Sequence, residues 1–97
     1  MGPLIGIVRY PDGARVRTAK VWVERRPWAK DGGATFTDYL GRYCISVRGS
    51  PGDTVTVVAA DGYDGGAYAA TSSGSARVIL HESVIPIDIV LDQVTPI

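Results

Sequence analysis

The side chains able to do chemistry are few and scattered. His81 and Cys44 are the single histidine and the single cysteine. One of each cannot complete a zinc site, nor supply the nucleophile, base and orienting acid of a triad. No internal disulfide can form, and Cys44 has no basic neighbour at a helix N-terminus to make it reactive. His81, next to Glu82, reads as a solvated surface residue. Asp61 and Asp64 in DGYDGG, with Asp31 or Asp53, offer oxygen ligands for calcium. A hard cation wants roughly six or more oxygens, however, and turn-forming aspartates are the commoner arrangement. No metal or cofactor is expected. The exposed aromatics Trp22, Trp28, Tyr39 and Tyr63 suggest sugar binding, because flat rings stack on pyranose faces; Trp28, Tyr39 and Tyr63 are the candidate ligand-facing rings. The plainer alternative has Trp22 covering a sheet flank and Tyr63 folding over one end of the molecule.

Strands must hold these residues in place. Gly and Pro cut the chain into strand-length pieces rich in Val, Ile, Thr and Tyr, the residues that suit a pleated, half-buried surface. Strands are predicted at Leu4–Tyr10, Ala19–Arg25, Thr35–Thr37, Arg42–Arg48, Thr54–Ala60 and Ile85–Leu91. Ala67–Ser72 and Arg77–Leu80 form one interrupted strand or a small hairpin around Ser72–Ser75, and RPWAKDGG from Arg26 to Gly33 is a loop that projects Trp28. The last strand alternates most cleanly: Ile85, Ile87, Ile89 and Leu91 point inward, Pro86, Asp88, Val90 and Asp92 outward. Between Thr37 and Arg42 the chain needs a tight turn, in which Asp38 accepts from its own downstream backbone and Gly41 adopts a left-handed conformation. About seven strands and no helix predict an all-β fold, a seven-stranded antiparallel Greek-key β-sandwich of transthyretin-like or immunoglobulin-like type.

Ninety-seven residues make one domain, residues 1–97. Ten basic and ten acidic side chains cancel, and neither sign forms a long run. Nucleic acid and an anionic membrane surface are therefore not expected as partners. The start, MGPLIGIVRY, lacks a basic segment followed by a long apolar stretch, and no run approaches the roughly 20 apolar residues of a membrane span. The compartment stays open between the cytoplasm and an excised mature fragment.

The order of motifs resembles the carboxypeptidase regulatory-like domain, a transthyretin-like (prealbumin-like) β-sandwich. The stretches that carry the resemblance are Gly6-Ile-Val8 with Asp12-Gly13, Ala19-Lys-Val-Trp-Val23, Thr37-Asp-Tyr-Leu-Gly-Arg-Tyr43, Pro51-Gly-Asp-Thr-Val-Thr-Val57 leading into Asp61-Gly-Tyr63, and Ile87-Asp-Ile-Val-Leu91. The resemblance implies a non-catalytic accessory domain that works by protein contact, and it leans toward an extracellular or cell-envelope setting. Hydroxyisourate hydrolases share the sandwich but use several histidines and a C-terminal Tyr-Arg-Gly-Ser motif. Here there is only His81, the chain ends Val94-Thr-Pro-Ile97, and Arg48-Gly-Ser50 sits at a mid-chain turn. Related Cna protein B-type domains weld a first-strand Lys to a last-strand Asn or Asp; this chain has Arg9 on the first strand and no Asn. No enzyme is expected.

If Leu4, Gly6 and Val8 face the core, as the resemblance implies, Ile5 and Ile7 lie on the outer face. Together with outward Trp22 and Val90 they form a candidate interface, provided the strands share a sheet. The expected partner is another protein or a second copy of the chain, with a glycan as the alternative.

Overall fold

The computed structural model describes residues 3–26, 29–61 and 71–95. Nine strands run through them: β1 (Leu4–Arg9), β2 (Lys20–Arg26), β3 (Ala29–Phe36), β4 (Arg42–Ile45), β5 (Thr54–Ala60), β6 (Thr71–Ile79), β7 (Ile85–Pro86), β8 (Ile89–Val90) and β9 (Gln93–Thr95). They form a five-stranded sheet, ordered β3-β2-β5-β6-β9, and a four-stranded sheet in which β4, β7 and β8 all pair with β1. The all-β, two-sheet architecture is the one the alternation predicts, and no helix occurs among the described residues.

The core is the inward half of each alternation. Leu4 and Val8 of β1, Val21 and Val23 of β2, Val55 and Val57 of β5, and Ile89 and Leu91 are at most 1% exposed. Each contributes about 1.5–3 kcal/mol by leaving water. Tyr43 and Ile45 of β4 and Ile85 of β7 join the same buried cluster from the four-stranded sheet.

Three strands differ from expectation. Arg26–Gly33 is not a loop throughout, because β3 begins at Ala29 and pairs with β2 through two register shifts; tertiary pairing overrides the turn signal of the glycines. Ser72–Ser75 is no hairpin either: β6 is continuous, and Ser73, Gly74 and Ser75 pair with Ala60, Ala59 and Val58. The final strand runs parallel to β1 and breaks in two around Ile87 and Asp88, whereas β4 is antiparallel to β1.

The Thr37–Arg42 turn is built as the sequence predicts. Gly41 has φ +75°, and its amide donates to the Asp38 carbonyl at 3.0 Å. The Asp38 Oδ1 accepts from the Leu40 and Arg42 amides, each at 2.9 Å. Thr37, the one buried polar side chain among the described residues, donates to the Val16 carbonyl at 2.7 Å and accepts from the Ala19 amide at 2.8 Å.

Candidate functional site

Outward parity on the four-stranded sheet assembles the site. Ile5 and Ile7 point away from the core; the register sets Arg42 of β4 opposite Ile7 and Pro86 of β7 opposite Ile5. Asp88 follows where the strand breaks. These side chains, over the backbone of Gly6 and Tyr43, line a groove of about 320 Å³. Its floor is apolar; a guanidinium on β4 and a carboxylate at the break between β7 and β8 stand on either side of β1.

The strand break shapes the groove. On the inner face the Tyr43 hydroxyl donates to the Ile87 carbonyl at 2.5 Å, passing over Gly6. A Cβ on Gly6 would lie 1.7 Å from that carbonyl oxygen, so only glycine admits the approach. On the outer face the Ile7 amide donates to Asp88 Oδ1 at 3.0 Å, a side chain standing in for a ladder carbonyl. Asp88 Oδ2 lies 4.0 Å from Arg9 Nη2. Burial pushes the Tyr43 phenol well above its ordinary range, and the nearby Asp88 charge adds to the shift.

Arg42 is held from behind. Its Nε donates to Asp38 Oδ2 at 2.9 Å. The Arg42 amide has the largest influence on Asp38; desolvation comes next and opposes it, and the Arg42 side chain and the Leu40 amide add to the first, so that the carboxyl is held below the usual 3.8.

The other candidate residues lie elsewhere. Ile5, Ile7 and Val90 share the four-stranded sheet, with Ile5 37% and Val90 45% exposed. Trp22 is on β2 in the other sheet, so the four do not form one patch. Its indole donates to Glu24 Oε2 at 3.0 Å, and Lys20 Nζ sits 5.9 Å from the ring centroid. Tyr39 is exposed on the 38–41 turn; Trp28 and Tyr63 lie outside the described residues, as do residues 62–66 of DGYDGG. Asp61 accepts a hydrogen bond from Tyr10, whose phenol is pushed up to about 12, first by that bond, then by burial and the Asp61 and Asp12 charges. Among the described residues no three His, Cys, Asp or Glu side chains gather as a metal site requires. Cys44 is exposed, and His81 Nδ1 is 2.8 Å from Ser83 Oγ. Sequence reasoning missed Arg42 and Asp88 as partners across a groove. The outward parity of both was legible, but their proximity depends on β1 pairing with β4 and with the last strand.

No family model and no curated protein matches the chain. Among solved structures, a Klebsiella pneumoniae 5-hydroxyisourate hydrolase is similar over 97% of this chain and 95% of its own, with a TM-score of 0.61 and 14% identity. The chain has a transthyretin-like fold. That neighbour is an enzyme, which corrects two expectations, that the domain is a non-catalytic contact or accessory module and that it is no enzyme. The architecture that suggested an inert module is equally that of a hydrolase, so it gives no presumption against catalysis. At this identity the likeness carries the fold and not the residues.

Among the described residues no helix is long and apolar enough to cross a membrane.

Proposed function

We propose that this chain hydrolyses a small, electrophilic carbonyl compound bound in the groove over β1. The observation behind this is the placement of Arg42 and Asp88 on opposite flanks of one apolar floor. Ile5, Ile7 and Pro86 cover one face of a flat ligand and lower the local dielectric, which strengthens both charges. Asp88 spends one oxygen on the Ile7 amide, which fixes the carboxylate, and uses the other, 4.0 Å from Arg9 Nη2, as the general base. Water attacks the carbonyl carbon and gives its proton to Asp88, while the C=O electron pair moves onto the oxygen beside Arg42. Collapse of this intermediate expels the leaving group, which takes the proton back from Asp88.

A carboxylate is a weaker base than an imidazole, so the substrate must already be activated, as in a cyclic amide or lactone carrying electron-withdrawing groups. His81 has no part in this chemistry. The motif order still resembles the carboxypeptidase regulatory-like domain, and only the sandwich is taken from it.

Following ultraviolet absorbance as the purified chain meets 5-hydroxyisourate, the compound in the neighbour's name, and a set of activated cyclic amides and lactones tests the proposal. Acceleration over buffer is expected for at least one compound, cut about 100-fold in Asp88→Asn and in Arg42→Ala. No acceleration with any compound sinks it.

A further inference from the structure

We infer that Asp38 is a positioning residue for Arg42, and that the pair makes the groove selective for a ligand bearing a single planar carboxylate. This rests on the groove being a ligand site and names the class of ligand it holds, one that takes the Arg42 edge in place of a substrate's carbonyl oxygen and so competes with hydrolysis. A guanidinium offers two edges for paired hydrogen bonds, one through Nε and one through its two Nη atoms. Asp38 Oδ2 holds the Nε edge at 2.9 Å. Asp38 cannot swing away, because Oδ1 is tied to the Leu40 and Arg42 amides and its own amide donates to the Arg42 carbonyl at 3.0 Å. The turn thus fixes the carboxylate, and the carboxylate fixes the guanidinium plane.

Among the described residues no acceptor is paired with the Nη atoms of Arg42, and Arg42 lines the groove. Ile5, Ile7 and Pro86 present no charge to it, so the matching partner is a planar, two-oxygen anion on an apolar body. Asp88 on the opposite flank repels a second negative charge there. One carboxylate with a flat apolar ring satisfies all three walls.

Benzoate and benzamide, equal in shape and different in charge, are the probes, titrated into the 15N-labelled full chain and followed by NMR. Benzoate is expected to shift the Ile5, Ile7 and Arg42 amides and to bind about ten-fold more tightly than benzamide; equal binding overturns the selectivity. Asp38→Asn keeps an oxygen for the two turn amides and loses the charged partner of Nε. Its thermal midpoint should fall only by the small contribution of that exposed charge, with the fold retained, while the benzoate preference falls several-fold; an unchanged preference overturns the positioning role. Arg42→Lys keeps the charge without the fork, and a full benzoate preference there shows that charge alone decides and overturns the planar requirement. Benzoate preference in a wild type that hydrolyses nothing supports this inference and sinks only the hydrolytic proposal.

Discussion

Tyr43 reaches across β1 to Ile87: its ring passes over Gly6 and its hydroxyl donates to the Ile87 carbonyl at 2.5 Å. The inner face of the four-stranded sheet is locked at the point where the outer face opens into the groove. Gly6→Ala would force a Cβ to 1.7 Å from the Ile87 oxygen and should cost about 3 kcal/mol or more, read by urea denaturation. Tyr43→Phe leaves that carbonyl without its donor and should cost about 1–3 kcal/mol. A Gly6→Ala protein as stable as wild type would show that β7 and β8 do not approach β1 as described.

Two phenols should govern the alkaline limb of stability. Tyr43 is raised above its ordinary value by burial, and Tyr10 is pushed up to about 12 chiefly by its bond to Asp61. In each case the folded state holds the proton more tightly than the unfolded chain. Their contribution is therefore complete below the unfolded value near 10 and fades as pH climbs through the folded values. Denaturant midpoints measured from about pH 9 to about pH 12 should fall in the wild type, and less steeply in Tyr10→Phe and Tyr43→Phe. Identical slopes in all three proteins would contradict this.

At the acid end the sign reverses. Asp38 sits below 3.8, held mainly by the Arg42 amide. The stability it brings is present above the unfolded value and is lost as pH falls through its own, lower one. A carbon-detected NMR titration should find the Asp38 midpoint below those of solvated aspartates. Asp38→Asn should remove that part of the acid dependence.

How far the sequence disclosed the molecule depends on the range of the interaction. Side-chain parity is local, and it placed Val21, Val23, Val55, Val57, Ile85, Ile89 and Leu91 inward correctly. The Asp38–Gly41 turn is also local chemistry and was legible from four residues. Non-local pairing was not. Ser73–Ser75 carries turn residues yet stays extended because β5 supplies its partners, and β1 takes the last strand in parallel. The groove is hidden for the same reason. Nothing between Arg42 and Asp88 in the chain says that β1 lies between them, and nothing told Trp22 apart from Ile5 and Ile7 until the strands were sorted into sheets.

Thr18 offers a stabilising change. It sits at φ +59°, a left-handed conformation that a β-branched side chain resists, and its amide donates to the Thr37 carbonyl at 3.2 Å. Thr18→Asn or Thr18→Gly should keep that bond, relieve the strain and raise stability by about 1 kcal/mol, seen as a higher thermal midpoint. A loss in both variants would mean that the Thr18 side chain itself contributes.

Asp88 has two duties that substitution can separate. Its Oδ1 receives the Ile7 amide, which the interrupted strand leaves without a backbone acceptor, and its carboxylate is the proposed base. Asp88→Asn retains an oxygen for the amide, so the fold should hold within about 0.5 kcal/mol while hydrolysis is lost. Asp88→Ala removes both and should cost about 1 kcal/mol of stability as well, because this bond is solvent-exposed and water replaces part of it. Amide exchange at Ile7 distinguishes the cases, since protection should survive in the Asn variant and fall in the Ala variant. Equal loss of protection in both would show that the negative charge itself, rather than an acceptor atom, holds β8 against β1. The Arg9 guanidinium, 4.0 Å from the other oxygen, would then be the group to vary next.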